Sequence, residues 1–231
     1  MSDRPTIGLL QCGDVRAPLS DTHGDYPELY VRLLGPGFDW RVFRVHDGDI
    51  PDDPTTCDGW LVSGSRHGAY EDHDWIAPLE TLIRSIHGTR PLIGICFGHQ
   101  IIAQALGGRV QKYSGGWAVG RRAYDWAGRT VHLNAWHQDQ VVMPPPGATT
   151  ILTNPFTIHA GLAMGDTLTL QPHPEFPPAL IADMIPAVGR GTVPDDLLTQ
   201  ASADLPLPVD NALTGDALAA HFRRTIPWPT G

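Results

Sequence analysis

Gly94-Ile95-Cys96-Phe97-Gly98-His99-Gln100 follows the short apolar run Pro91–Ile95 and opens a segment, Phe97–Leu106, that stops at Gly107-Gly108. The pattern reads as a buried strand turning sharply into a helix, with a cysteine at the turn. Glycines two before and two after Cys96 remove the Cβ atoms that would clash in so tight a bend. The helix then aims its first N–H groups and the positive end of its dipole at the sulfur, which favours thiolate. A thiol with an ordinary pKa of about 8.5 is ionised to only a few per cent at neutral pH. A reactive cysteine here therefore needs a base.

Strands and helices alternate on either side of this turn. Thr6–Gln11 reads as a buried strand and Tyr26–Leu34 as a helix, with Asp25 near its cap, Pro27 in its first turn and Gly35 past its end. Trp40–Val45 and Trp60–Ser63 read as strands, the second running into the glycine-broken loop Ser63–Ala69. Asp74 is suited to cap a helix over Trp75–His87, in which Ile76, Leu79, Leu82, Ile83 and Ile86 recur at helical spacing. This rhythm predicts an α/β fold: a mostly parallel central sheet with helices on both faces. Beyond Val110, strand-like runs at Gly120–Trp126, Thr130–Leu133, Gln140–Met143, Thr150–Thr153 and Leu168–Gln171 predict a small antiparallel extension. From Pro177 the chain reads as helical again, with Leu180, Ile181 and Met184 on one face. Residues 1–231 are expected to form one domain, with 191–231 a Pro- and Asp-rich C-terminal extension of no assigned structure.

Composition narrows the function classes. The 231 residues are 42% hydrophobic and carry 16 basic against 25 acidic side chains, a net charge of −9. That length suits a sizeable core. The acidic balance argues against nucleic-acid binding, and no basic cluster exceeds the pairs Arg121-Arg122 and Arg223-Arg224. The N-terminus lacks the features of a signal peptide, and no apolar run approaches the roughly 20 residues that span a bilayer. The expectation is a soluble cytoplasmic protein with no membrane and no nucleic-acid partner. Cys12, Cys57 and Cys96 are odd in number and lack C-x-x-C spacing, so neither a disulfide framework nor a thiolate zinc site is indicated.

His173-Pro174-Glu175 supplies the base. It follows Leu168–Gln171, at the end of an expected strand, where residues two apart point to the same side. Glu175 can then orient one nitrogen of the His173 ring while the other faces the thiol. Histidine suits the task because it takes and returns a proton near neutral pH.

Together, Gly94–Gln100 and His173-Pro174-Glu175 resemble the two signatures of the class I (triad) glutamine amidotransferases, over roughly Ile7 to Phe176. The resemblance implies Cys96 as nucleophile, His173 as base and Glu175 as its orienter. It also implies an oxyanion hole from the amides of Gly64, in Ser63-Gly64-Ser65, and of Phe97. Backbone donors suit that role because they are already in place when charge develops. Gln100 resembles the residue that contacts bound glutamine. Trp136, His137 and Gln138 fall where the family places backbone contacts to the substrate's α-amino and α-carboxylate groups. Trp136–Gln140 and Ser63–Ser65 look more like the stand-alone subgroup related to the GMP synthetase glutaminase domain and to γ-glutamyl peptidases.

The implied function is a hydrolase that cleaves the γ-glutamyl amide bond of glutamine or of a γ-glutamyl peptide through a cysteinyl thioester. A glutaminase subunit that delivers ammonia to a separate synthetase is one alternative, and a non-catalytic binding module is another. No cofactor is expected: Ser114-Gly115-Gly116-Trp117 lacks the rest of a pyrophosphatase loop, and no G-x-x-x-x-G-K-[ST] occurs. His67, Glu71, Asp72, His73 and Asp74 cluster in sequence but lack helical ligand spacing. They read as a solvated loop, with no metal site.

Overall fold

The protein is described by a computed structural model over residues 4–224. The first half builds β1 (Thr6–Gln11), α1 (Leu19–His23), α2 (Tyr26–Leu34), β2 (Asp39–Arg44), β3 (Gly59–Val62), α3 (Ile76–Ile86), β4 (Leu92–Ile95) and α4 (Phe97–Ala105). Then come strands β5 (Arg109–Lys112), β6 (Ala118–Trp126), β7 (Arg129–His137), β8 (Asp139–Met143), β9 (Thr149–Thr153), β10 (Gly161–Met164) and β11 (Thr167–Leu170). Helices α5 (Pro178–Met184), α6 (Asp195–Asp204) and α7 (Asn211–Arg223) follow.

The central sheet has nine strands in the order β2-β1-β3-β4-β11-β10-β9-β6-β7. Its first half is parallel, β11 pairing with β4 in the same direction. The expected antiparallel extension comes in two parts. Strands β10, β9, β6 and β7 continue the central sheet, while β5 and β8 form a separate ribbon.

Alternation along the parallel strands divides the core. Ile7 and Leu9, Leu61, Ile93 and Ile95, and Leu168 and Leu170 face the cluster packed by α1, α2, α5 and α7. Leu10, Trp60, Val62 and Leu92 face the cluster packed by α3 and α4. Side chains two apart share a face of a strand, and each fully buried aliphatic contributes roughly 1.5–3 kcal/mol. On the α4 face of β11 the alternation turns polar: Thr169 Oγ1 lies 2.8 Å from His99 Nδ1, and Thr167 Oγ1 lies 2.8 Å from His87 Nδ1.

Asp25 caps α2 as its position suggested, in a reciprocal arrangement with Glu28. Its carboxylate also accepts from Gln11 Nε2 at 2.7 Å, which ties the helix to the end of β1. Helix α3 starts differently from expectation. Trp75, not Asp74, occupies the cap, no side chain caps there, and the Ile76 N–H donates to the His73 carbonyl. Strands β5 and β10 and helix α1 escaped the sequence reading because each spans only four or five residues and carries too little periodicity to show.

Of the C-terminal stretch 191–231, the described residues up to 224 pack on the core, and 225–231 lie outside the described residues. Leu218, Ala219 and Phe222 of α7 join the main cluster, and Ala201 of α6 lies against Gly120 of β6. A Cβ at Gly215 of α7 would come within 2.3 Å of the Leu33 carbonyl oxygen in α2, so only glycine permits that approach.

The glycines of the Cys96 turn have the same kind of reason. A Cβ at Gly98 would stand 2.2 Å from the Val62 carbonyl oxygen, and one at Gly94 would stand 2.5 Å from the Gly98 oxygen. Three backbones meet there with no room for side chains. Gly98→Ala is expected to destabilise the fold by about 1–3 kcal/mol through forced backbone displacement, read as a lowered thermal midpoint. An unchanged midpoint would contradict this packing.

Candidate active site

Cys96 sits at the N-cap of α4 with φ of 54° and ψ of −103°, a conformation that non-glycine residues rarely adopt. Such a residue costs of order 1–3 kcal/mol and persists only where its surroundings hold it. Here its N–H donates to the Leu170 carbonyl at 2.8 Å and its carbonyl accepts from the Gln100 N–H at 3.1 Å. The Gly98 N–H donates to the Ser63 carbonyl at 3.1 Å. At the first position of the helix, the Phe97 N–H has no intrahelical acceptor.

His173 follows β11 and bridges across to β7, its N–H donating to the Asn134 carbonyl at 2.8 Å. Its ring is buried and stacks on Phe176, with centroids 4.0 Å apart and planes 4° from parallel. Nδ1 lies 2.7 Å from Glu175 Oε1, and the side chain also hydrogen-bonds Cys96. The pairing is the expected one, but the backbone beneath it is not extended. The Phe176 N–H returns to the His173 carbonyl at 3.2 Å, closing a turn with Pro174 at its second position, where proline's fixed φ fits. Burial alone would lower the His173 pKa. The negative charges of Cys96 and Glu175, with hydrogen bonds to both, outweigh it and raise the value to about 10.

Two tyrosines from one face of α2 complete this corner. The Tyr30 hydroxyl donates to Glu175 Oε1 at 3.2 Å, so one carboxylate oxygen serves both the histidine and the tyrosine. Burial and the Glu175 charge hold the Tyr30 pKa well above its ordinary value, against a hydrogen bond from the Gly64 backbone. Tyr30 thus stays a donor. Tyr26 stacks with Tyr30 and Phe176, and a Cβ added to Gly64 would lie 2.6 Å from the Tyr26 hydroxyl and 3.2 Å from His173 Cε1. Gly64 therefore stands beside the histidine, where a side chain would not fit.

The remaining candidates are used in different ways. Gln100 is buried at the first turn of α4, its Nε2 donating to the Asp139 carbonyl at 3.0 Å and to Gln171 Oε1 at 3.1 Å. His137, at the end of β7, has Nδ1 at 3.1 Å from the Asp139 carbonyl, and Nε2 has no partner among the described residues. The Trp136 side chain packs against Leu198 and its neighbours, and Gly189 closes over its ring. Gln138 offers its carbonyl to the Tyr113 N–H at 3.3 Å. Trp136 and His137 belong to a strand and Gln138 is the single residue before the next, because β7 runs to His137 and β8 begins at Asp139.

Tyr26, Tyr30 and Asn211 escaped the sequence reading. The two tyrosines lie four apart on one helical face, a polar tip on a buried stripe that is visible in the sequence. Asn211, at the start of α7, donates from Nδ2 to the Phe176 carbonyl at 3.0 Å, beside the bond that Asn134 Nδ2 makes there at 2.9 Å. No local pattern signals that contact across 35 residues.

A cysteine forced out at a strand-to-helix elbow, facing a carboxylate-held histidine on an α/β sandwich, defines a class of cysteine-centred α/β proteins. The chain belongs to one family within it: the model described as "Glutamine amidotransferase class-I" matches residues 29–184. It is 32% identical over 189 residues to γ-glutamyl peptidase 4 of Arabidopsis thaliana, covering 74% of this chain and 75% of that protein. It is also 32% identical over 178 residues to a glutamine-hydrolysing GMP synthase of Thermomicrobium roseum, covering 74% of this chain but 31% of that protein. Among solved structures, a glutamine amidotransferase of Methylobacillus flagellatus shares the fold over 100% of this chain and 98% of its own, at 19% identity and a TM-score of 0.70. Among the described residues, no helix is long and apolar enough to cross a membrane.

Burial lowers the pKa values of His99 and His137 to about 3, the positive His173 adding to the effect at His137. Both are neutral in the folded chain and take up protons near 6.5 once it unfolds. The unfolded state thus binds more protons as pH falls from about 6.5 towards 3, and stability falls with it. His173 has the opposite sign: its contribution is whole below about 6.5 and is lost as pH rises towards about 10. In urea titrations between about pH 6 and 4, His99→Gln should lose stability less steeply than the parent, by roughly 1.4 kcal/mol per pH unit. Equal slopes would show that His99 is not held neutral.

Proposed function

We propose that this chain is a hydrolase that cleaves the γ-glutamyl amide bond of glutamine or a γ-glutamyl peptide through a cysteinyl thioester. The observation that carries the reading is the His173–Glu175 contact of 2.7 Å beside a cysteine held at φ of 54°. Cys96 Sγ attacks the γ-carbonyl carbon, its proton residing on His173 Nε2. The oxyanion is met by the Phe97 N–H and by the Gly64 N–H, which turns to it from Tyr30. His173 then gives its proton to the departing amine as the C–N bond breaks. Water, deprotonated by His173, attacks the thioester, and glutamate leaves as the thiol is restored.

Glu175 and Tyr30 position the histidine in this scheme. The partnerless Nε2 of His137 is a buried polar atom that the glutamyl part of a substrate would satisfy. A hydrolase complete in itself is supported by the match to the γ-glutamyl peptidase, which covers about three quarters of both chains. One observation favours a second reading, a glutaminase that passes ammonia to a separate synthetase. The chain is 32% identical over 173 residues to a glutamine-hydrolysing GMP synthase subunit of Halobacterium salinarum, covering 67% of this chain and 86% of that protein.

Glutamate release by the purified chain, given glutamine and a panel of γ-glutamyl peptides beside a Cys96→Ala control, decides between them. Turnover that depends on Cys96 is expected without any partner, and the better substrate names the leaving group. Silence across the panel would overturn the autonomous hydrolase, and release appearing only with an added synthetase would establish the second reading. In the active chain, Glu175→Gln should lower kcat by about 10²–10⁴-fold with KM little changed, the signature of lost orientation. Tyr30→Phe leaves the carboxylate in place, and kcat is expected to fall roughly tenfold or less, again at constant KM. A rise in KM alone for either variant would assign these residues to substrate binding.

A further inference from the structure

The loop between β3 and α3 folds His67, Glu71 and His73 together on the surface, although their spacing had suggested no convergence. Glu71 Oε2 lies 3.1 Å from His67 Nδ1 and 2.9 Å from His73 Nε2, and the two imidazole centres are 4.2 Å apart. One ligand atom from each of the three falls within 4.8 Å of the others. A tetrahedral zinc site with bonds of about 2.0–2.1 Å has ligand atoms about 3.3 Å apart, so small side-chain movements make room for an ion.

The surroundings hold this arrangement in place. His73 stacks on the Trp75 indole, with centroids 5.7 Å apart and planes 8° from parallel, and His67 meets the same indole edge-on at 6.0 Å. Trp75 is buried and packs on Phe97 at 5.6 Å. The backbone turns tightly between the ligands, Glu71 N–H donating to the Gly68 carbonyl at 3.0 Å and His73 N–H to the Glu71 carbonyl at 3.2 Å. All three side chains remain partly exposed, which leaves an entry path and a fourth position open to water.

We propose that His67 Nδ1, Glu71 and His73 Nε2 form a binding site for a borderline divalent transition ion of the Zn2+ class. Two imidazoles and one carboxylate suit Zn2+, Co2+ or Ni2+ and not the all-oxygen preference of Ca2+ or Mg2+. The exposed Arg66 guanidinium, whose Nε is 3.5 Å from His67 Nε2, turns away when the ion binds, since that nitrogen then carries the proton. The ion would join both limbs of the segment that starts at Gly64 and ends where Trp75 packs on Phe97. The site does not include Cys96, His173 or Glu175, so it stands or falls apart from the hydrolysis proposed above.

Isothermal titration with ZnCl2 tests it, in a Cys96→Ala background that removes the competing thiol beside His173. One ion per chain is expected, with affinity weakened at least about tenfold by Glu71→Gln and by His73→Gln. Co2+ provides a second readout, since visible absorption bands of a four-coordinate ion should appear in the background chain and vanish in both variants. Thermal melts confirm that the variants stay folded. The absence of Zn2+ binding at millimolar metal, or equal affinity in background and both variants, would overturn the site.

Discussion

The contact on which the rest depends is the backbone meeting of Gly94, Gly98 and Val62. Because no Cβ intervenes, the first turn of α4 can lie against the ends of β3 and β4; a Cβ on Gly98 would stand 2.2 Å from the Val62 carbonyl oxygen. That closeness leaves Cys96 a positive φ, with its N–H bound to Leu170 and its carbonyl to Gln100. The strain at one residue is balanced by three converging backbones, the situation in which such strain persists.

The other groups arrive at this fixed point from distant parts of the chain. His173 comes from the end of β11, the parallel neighbour of β4. Tyr30 comes from α2, and Gly64 from the loop after β3. The turn that carries His173 and Glu175 is itself held at the Phe176 carbonyl by amides from β7 and α7. Helix α7 thus supports the turn that carries His173 and Glu175.

Several buried polar atoms in and beneath the site are paired. Glu175 Oε1 serves His173 and Tyr30, Ser63 Oγ accepts from the Cys12 N–H and donates to the Gly64 carbonyl, and His99 meets Thr169 beneath α4. Each pairing offsets desolvation that would cost about 1–3 kcal/mol for an unmet group. The same rule makes the orphaned Nε2 of His137 notable, since it lies near enough to His173 for the latter's charge to reach it.

Local spacing determined much of this by sequence alone. The glycine frame of Cys96, the two-residue step from His173 to Glu175, the capping of α2 and the strand–helix rhythm all lie within a few neighbouring residues. Such signals survive because dihedral preference and side-chain period are properties of short segments. Tertiary structure alone decided the rest. It closed a turn under His173 where an extended strand was expected, and it put Trp75 in place of Asp74 at the cap of α3. It also packed residues 192–224 on the core, brought Tyr30 to Glu175 across 145 residues, and gathered His67, Glu71 and His73 around one point. The Tyr30–Glu175 contact and the packing of residues 192–224 join segments remote in sequence and arise only when packed layers bring them together, while the turn under His173 and the gathering of His67, Glu71 and His73 are local backbone turns that side-chain period does not encode.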